Sequence, residues 1–322
     1  MKNSSLVVSF APHWHSGTSI ASSMYTIVLA LLPALLYGMY IFGIDGARVV
    51  GLSVLTCVVS EYFLQKLFKK PVTITDGSAV VAGLLFGMIL PAGSPFWLVL
   101  VGGFMTMLVG KHVFGGLGSN PFNCVLVGWA MVKISWKYQM DFNLTSVKSN
   151  LDIVTGYPLG ILKKAGVAGL DHISLMDLFI GREIGGIGST SALLLILGGL
   201  FLIYRGIIPW RIPLAFIVGV FITALIFNLG DGTQYAGPLF NLFTGTTMLG
   251  AFFLATDYAS SPVNKTSMLI FGFSCGVMTI LLRSWSIYED GTFFAILLMN
   301  ILTPFLDKIG ERKKITVTTE KG

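Results

Sequence analysis

The chain is built largely of apolar runs long enough to cross a lipid bilayer, and this limits its fold more than any other feature. A helix needs about 20 predominantly apolar residues to span the hydrocarbon core, and fewer where it is bent or shielded by protein. Segments 22–43, 46–66, 96–113, 192–205, 211–229, 267–284 and 291–308 meet or approach that length. Three others are shorter or interrupted by glycine: 78–91 (SAVVAGLLFGMILP), 122–134 (FNCVLVGWAMVKI) and 236–255 (AGPLFNLFTGTTMLGAFFLA). In lipid a helix satisfies its backbone polar groups within its own segment. The expected fold is therefore an all-α integral membrane protein of about ten transmembrane helices, with the interrupted segments as candidates for re-entry. Composition agrees. Of the 322 residues 54% are hydrophobic and 11% charged, whereas a soluble domain carries about 25% charged residues.

Lys and Arg placement in the short loops sets the expected orientation. With an even number of spans, Lys66, Lys69, Lys70, Lys111, Arg205, Arg211 and Lys265 share a side with the tail residues Lys308, Arg312, Lys313, Lys314 and Lys321. The opposite short loops hold only Arg48 and Arg283. Both termini are thus expected on the cytoplasmic face of the membrane. The net charge of +6 is a positive-inside signature and not a nucleic-acid patch, which needs positives clustered on a soluble face. The expected organisation is a cytoplasmic segment (1–21) without the charged-then-apolar pattern of a leader, a first membrane half (22–135), an extracytoplasmic excursion (136–190), a second half (191–309) and a basic tail (310–322). The excursion carries Lys137, Lys148, Lys163, Lys164 and Arg182, but long loops follow the charge rule poorly.

Soluble-type chemistry is not legible. Cys57, Cys124 and Cys275 lie singly in apolar runs and read as small hydrophobes. His13, His15, His112 and His172 have no metal-ligand spacing. GREIGGIGST (181–190) is glycine-rich but has no strand before it, so it fails as a dinucleotide-binding turn. Its amides from Gly188 to Ser191 suit either a phosphate or a tight re-entry turn.

Polar residues inside the apolar runs are more informative. Asn120-Pro121-Phe122-Asn123 follows GGLGS, Thr244-Gly245-Thr246-Thr247 interrupts one span, Thr256-Asp257 closes it, and Asn300 and Thr303-Pro304 lie in the last. Hydroxyl and small residues serve as packing contacts between membrane helices. Amides and carboxylates at that depth mark ion pathways or cofactor sites. Asn123, Thr246, Thr247 and Asp257 are the candidate pathway residues, expected to face the interior with NPFN and TGTTMLGA meeting near the centre. Interruptions recurring in two halves suggest a pseudo-repeat with a site between them.

The strings GGLGSNPFNCVLVGW, TGTTMLGAFFLATD and EDGTFFAILLMNILTPFLD, with the opening SFAPHWHSGTSIASSMYTIVLALLPALLYG, resemble the D subunits (RnfD) of membrane ferredoxin:NAD oxidoreductase (Rnf) complexes. These are similar to the B subunit of the sodium-pumping NADH:quinone reductase. The resemblance covers essentially the whole chain. It implies a membrane component of a redox-driven pump that couples electron transfer between ferredoxin and NAD to Na⁺ or H⁺ movement, working with iron–sulfur and flavin subunits. The other class that fits the polar midplane residues is a stand-alone secondary transporter binding a solute there. A flavin absorption band and co-purifying subunits distinguish the first from the second.

The resemblance also implies an FMN linked by a phosphoester to the last threonine of an Asp-x-x-(Ser/Thr)-Gly-Ala-Thr pattern, often followed by Pro-Leu. The stretch in this chain is DIVTGYPL, residues 152–159. Anchored on Asp152, Thr155 and Gly156, the acceptor position falls on Pro158; anchored on Pro158-Leu159, it falls on Tyr157. Neither is a threonine. Thr155, Gly156, Tyr157 and Pro158 therefore form a degenerate flavin-attachment motif. The expectation is FMN held without a covalent link, by loop amides and the Tyr157 ring or a neighbouring one, or absent from this chain. A covalent link at Thr155, one at Thr247 in the similar TGTT, and a plain turn stay open as alternatives.

Overall fold

The computed structural model describes residues 19–144 and 156–311, and Thr155 lies outside them. Among the described residues every regular element is a helix. Four helices are long and apolar enough to cross a membrane: α1 (Ile20–Leu67), α8 (Arg211–Gly230), α11 (Lys265–Trp285) and α12 (Thr292–Glu311). Shorter apolar helices are α2 (Ser78–Met88), α3 (Phe96–Met107, extended by a π turn over Leu108–His112), α4 (Cys124–Ser135) and α7 (Ala192–Tyr204). Between them lie α5 (Pro158–Ala165) and α6 (Leu175–Ile180); α9 (Pro238–Phe243) and α10 (Thr247–Leu249), which runs into a second π turn (Gly250–Leu254), precede α11. Leu29, Leu36, Leu55, Phe63, Leu229 and Ile301 point outward, the apolar exterior that lipid requires and water penalises.

The 48 residues of α1 are two helices, as the separate apolar runs 22–43 and 46–66 suggest. Gly43 breaks them with φ 63° and ψ −142°, a backbone state open to glycine. A β-carbon placed on Gly46 would lie 3.9 Å from the carbonyl oxygen of Gly38, although a continuous helix rises about 12 Å over that interval. The chain therefore turns back on itself at Gly43.

Side chains tie the connecting segments into two groups. Lys70 donates to the Gly115 carbonyl, Tyr258 to that of Ile207, and Asn264 to that of Asp307. In the other group Arg48 donates to the Ser94 carbonyl, Lys133 to that of Met140, and Lys163 to those of Arg283, Ser286 and Tyr288. Each of these bonds joins segments that the Lys and Arg distribution places on the same side.

The described part of the 136–190 excursion is folded onto the bundle. Phe142, Tyr157, Leu159, Leu178 and Ile184 form a second apolar cluster with Ala236 and Phe240. Its last stretch, 183–191, is buried and non-helical. The Ile187 amide donates to the Leu90 carbonyl at 3.3 Å and the Gly188 amide to that of Met88 at 2.8 Å, so two irregular segments satisfy each other where lipid would not. A β-carbon on Gly38 would sit 1.7 Å from the Ile187 carbonyl oxygen, which fixes glycine at that crossing. The Ser189 amide donates to Gly186. Of the two readings of the 188–191 amides, the tight turn is the one formed.

Candidate functional site

Among the described residues three polar clusters inside the bundle stand out. The first is organised by Asn123, the N-cap of α4. Its Oδ1 accepts from the amides of Val125 and Leu126 at 3.0 and 3.3 Å, and its Nδ2 donates to the Leu254 carbonyl at 3.0 Å. The Asn123 amide donates to Asn300 Oδ1 at 3.2 Å, and Asn300 Nδ2 donates to the Ser260 carbonyl at 3.1 Å. Beside it Asp257 Oδ2 accepts from Ser260 Oγ at 3.0 Å and lies 3.5 Å from Asn120 Nδ2. Burial raises the Asp257 carboxyl above its ordinary range, against the opposing pull of Ser260 and Asn120. Asn120, Asn123, Asp257, Ser78 and Lys111 line a cavity of about 570 Å³, within the usual size of a small-molecule or cofactor site.

The second cluster lies at the break between α9 and α10. Asp290 Oδ2 accepts from the Thr246 amide and hydroxyl at 2.8 and 2.7 Å, and Oδ1 from the Thr292 amide and hydroxyl at 3.1 and 2.7 Å. Arg283 at the end of α11 donates to Asp290 Oδ1 at 3.1 and 3.0 Å, to the carbonyls of Asn241 and Thr244 at 2.7 and 3.2 Å, and to Thr247 Oγ1 at 2.7 Å. Burial pushes the Asp290 carboxyl up, but Arg283 and the Thr292 and Thr246 donors outweigh it and leave it below its ordinary range.

The third cluster was missed from sequence. Glu61 in α1 receives Lys111 Nζ on both oxygens at 2.9 Å and Gln65 Nε2 at 2.6 Å, with His112 Nε2 at 3.4 Å. Lys111 also donates to Ser78 Oγ at 2.8 Å. The available signal was a lone acid inside an apolar run and a lysine at the end of another.

The candidate pathway residues thus divide. NPFN meets the far end of the interrupted span, at Leu254 and Asp257, while Thr246 and Thr247 belong to the Arg283–Asp290 cluster. Asn123, Thr246 and Thr247 are buried and Asp257 is half-buried. Among the described residues no group of three or more His, Cys, Asp or Glu is placed to hold a metal ion.

A family model for NQR2, RnfD and RnfE matches residues 7–316. The chain belongs to this family. It is 39% identical to the D subunit of the Na⁺-translocating ferredoxin:NAD⁺ oxidoreductase complex of Acetobacterium woodii, over 100% of this chain and 98% of that protein. It is 38% identical to the D subunit of the proton-translocating ferredoxin:NAD⁺ oxidoreductase complex of Clostridium ljungdahlii, over 98% and 97%. Identity to the D subunit of the ion-translocating oxidoreductase complex of Aliivibrio salmonicida is 32%, over 93% and 95%.

In this member of the NQR2/RnfD/RnfE family the described part of the degenerate attachment motif is Gly156, Tyr157 and Pro158. Gly156 has φ 123°, and Pro158 opens α5. Tyr157 is 1% exposed, and its ring packs 4.9 Å from that of Phe142. Its hydroxyl is buried without a hydrogen-bond partner. The ring is enclosed by protein on the bundle side of the excursion.

Proposed function

We propose that the chain is the D-type membrane component of a redox-driven ion pump that couples electron transfer between ferredoxin and NAD to Na⁺ or H⁺ translocation. The observation that carries this reading is end-to-end similarity to the D subunits of two ferredoxin:NAD⁺ oxidoreductase complexes. Polar clusters at the break and at the far end of one interrupted helix suit ion passage through a bundle. The partners are the iron–sulfur, flavin and other membrane subunits of such a complex.

The reading includes ten spans in two halves and both termini on the cytoplasmic face of the inner membrane, supported by the loop charges and the two groups of tied connections. It also includes FMN bound without a covalent link. The missing threonine and the enclosed Tyr157 support that part. Tyr157 is a poor fit for a flavin contact; the cavity beside Asn120, Asn123 and Asp257 has the room and the polar groups for a planar ring system. A bound flavin would supply one-electron transfer, and these residues would bind and orient it.

The test is purification from native membranes. The expected result is co-purification with iron–sulfur and flavin subunits, a flavin released on denaturation, and loss of ferredoxin-driven ion uptake by vesicles when the chain is deleted. A colourless chain that purifies alone and moves a solute unaided would instead establish the secondary transporter.

A further inference from the structure

Glu183 has no place in the clusters above. It stands in the buried non-helical stretch before α7, outside the spanning helices, and is 1% exposed. Neither carboxyl oxygen is within ordinary hydrogen-bond geometry of a partner among the described residues; the nearest donor is the Gly245 amide. The groups that face it are the Gly245 amide, Arg283 and Asp290, and all come from the second cluster. Two more buried oxygens without partners flank Gly245: the hydroxyl of Thr244, and that of Tyr157, which lies 3.1 Å from where a β-carbon on Gly245 would be.

The charges do not balance if Glu183 is ionised. Arg283 contacts Asp290 at 3.0 Å and neutralises it, and its other donors are engaged by the Asn241 and Thr244 carbonyls and the Thr247 hydroxyl. One negative charge would remain, buried and without a countercharge, with only the Gly245 amide turned toward it, which is among the most expensive arrangements in a protein interior. Burial correspondingly drives the Glu183 carboxyl well above its ordinary range. A single positive charge restores neutrality. A sodium ion would need the Glu183, Thr244 and Tyr157 oxygens to converge on one point with room between them, whereas a proton needs one carboxyl oxygen and no added space.

We propose that Glu183 is a proton-binding site of the bundle, occupied in this conformation as a neutral carboxylic acid and exchanged as the pump turns over. On release the carboxyl O–H bond breaks, the proton passes to a water molecule admitted by helix movement, and the carboxylate stays behind. The Tyr157 and Thr244 hydroxyls and the Gly245 amide are the donors available to the anion so formed. The exchange half rests on the reading of the chain as a pump component; the bound proton does not.

Infrared spectroscopy of the full-length chain in membranes tests the bound proton whether or not the chain belongs to a pump. At neutral pH a protonated-carboxyl carbonyl band is expected that moves in D2O, is unchanged when sodium is added at fixed pH, disappears in Glu183→Gln and is displaced in Glu183→Asp. Absence of the band, its persistence in Glu183→Gln, or its loss on adding sodium overturns the proposal. If Glu183→Gln does not fold, the displacement in Glu183→Asp decides. In the whole complex Glu183→Gln is expected to lose redox-driven ion uptake while still assembling. Undiminished uptake would overturn the exchange.

Discussion

Replacing Arg283 by methionine tests the second cluster most directly, because the arginine holds four chain segments together. Its guanidinium reaches Asp290 before α12, the carbonyls of Asn241 and Thr244 around α9, and the hydroxyl of Thr247 in α10. The pair is almost dry, with side chains 5% and 11% exposed. Arg283→Met leaves Asp290 with its threonine donors but no countercharge. Breaking a buried pair on one side costs about 3–5 kcal/mol, and each orphaned acceptor adds about 1 kcal/mol or less. A loss of about 5 kcal/mol is expected. Arg182→Met is the control: its pair with Asp177 spans 3.6 Å with side chains 58% and 36% exposed, a geometry worth about 0–1 kcal/mol. Because methionine and leucine together restore neutrality, Arg283→Met with Asp290→Leu should cost less than the two single changes summed, by about 2 kcal/mol. Unfolding in detergent, followed by tryptophan fluorescence across a denaturant series, measures all four variants. If Arg283→Met matches Arg182→Met, or the double change is simply additive, the cluster is not the clasp described.

Three further outcomes follow from the same geometry. Gly38→Ala should prevent stable folding while Gly51→Ala leaves it intact, since a β-carbon meets the Ile187 carbonyl oxygen at 1.7 Å in the first case and nothing within 4 Å in the second; yield of monodisperse protein from membranes separates them. Glu61→Gln, which leaves Lys111 buried without its carboxylate, should cost about 3–5 kcal/mol in the same unfolding assay. The contribution of Asp290 to stability, whose carboxyl lies below its ordinary range, should be full at neutral pH and fall as pH drops through about 4 and below; a pH series of unfolding midpoints in which Asp290→Asn shows the same acid slope as the parent would refute it.

The membrane helices were legible because period and length act locally. The apolar runs 22–43 and 46–66 name two spans, and Gly43 is the turn between them. Long strings such as GGLGSNPFNCVLVGW indicated the family, and the match over residues 7–316 agrees. The charge clusters were harder to see, because each joins residues far apart in the chain and needs the tertiary fold to assemble. Arg283 counted from sequence only as one of two positives in the outer short loops; in the structure it closes the interrupted helix onto the start of α12. Likewise Glu183 is a single acid within GREIGGIGST that nothing local in the sequence marks, and its significance comes from what surrounds it. A carboxyl on a solvated loop implies little, but one enclosed beside an already neutralised Arg283–Asp290 pair must find its own positive charge.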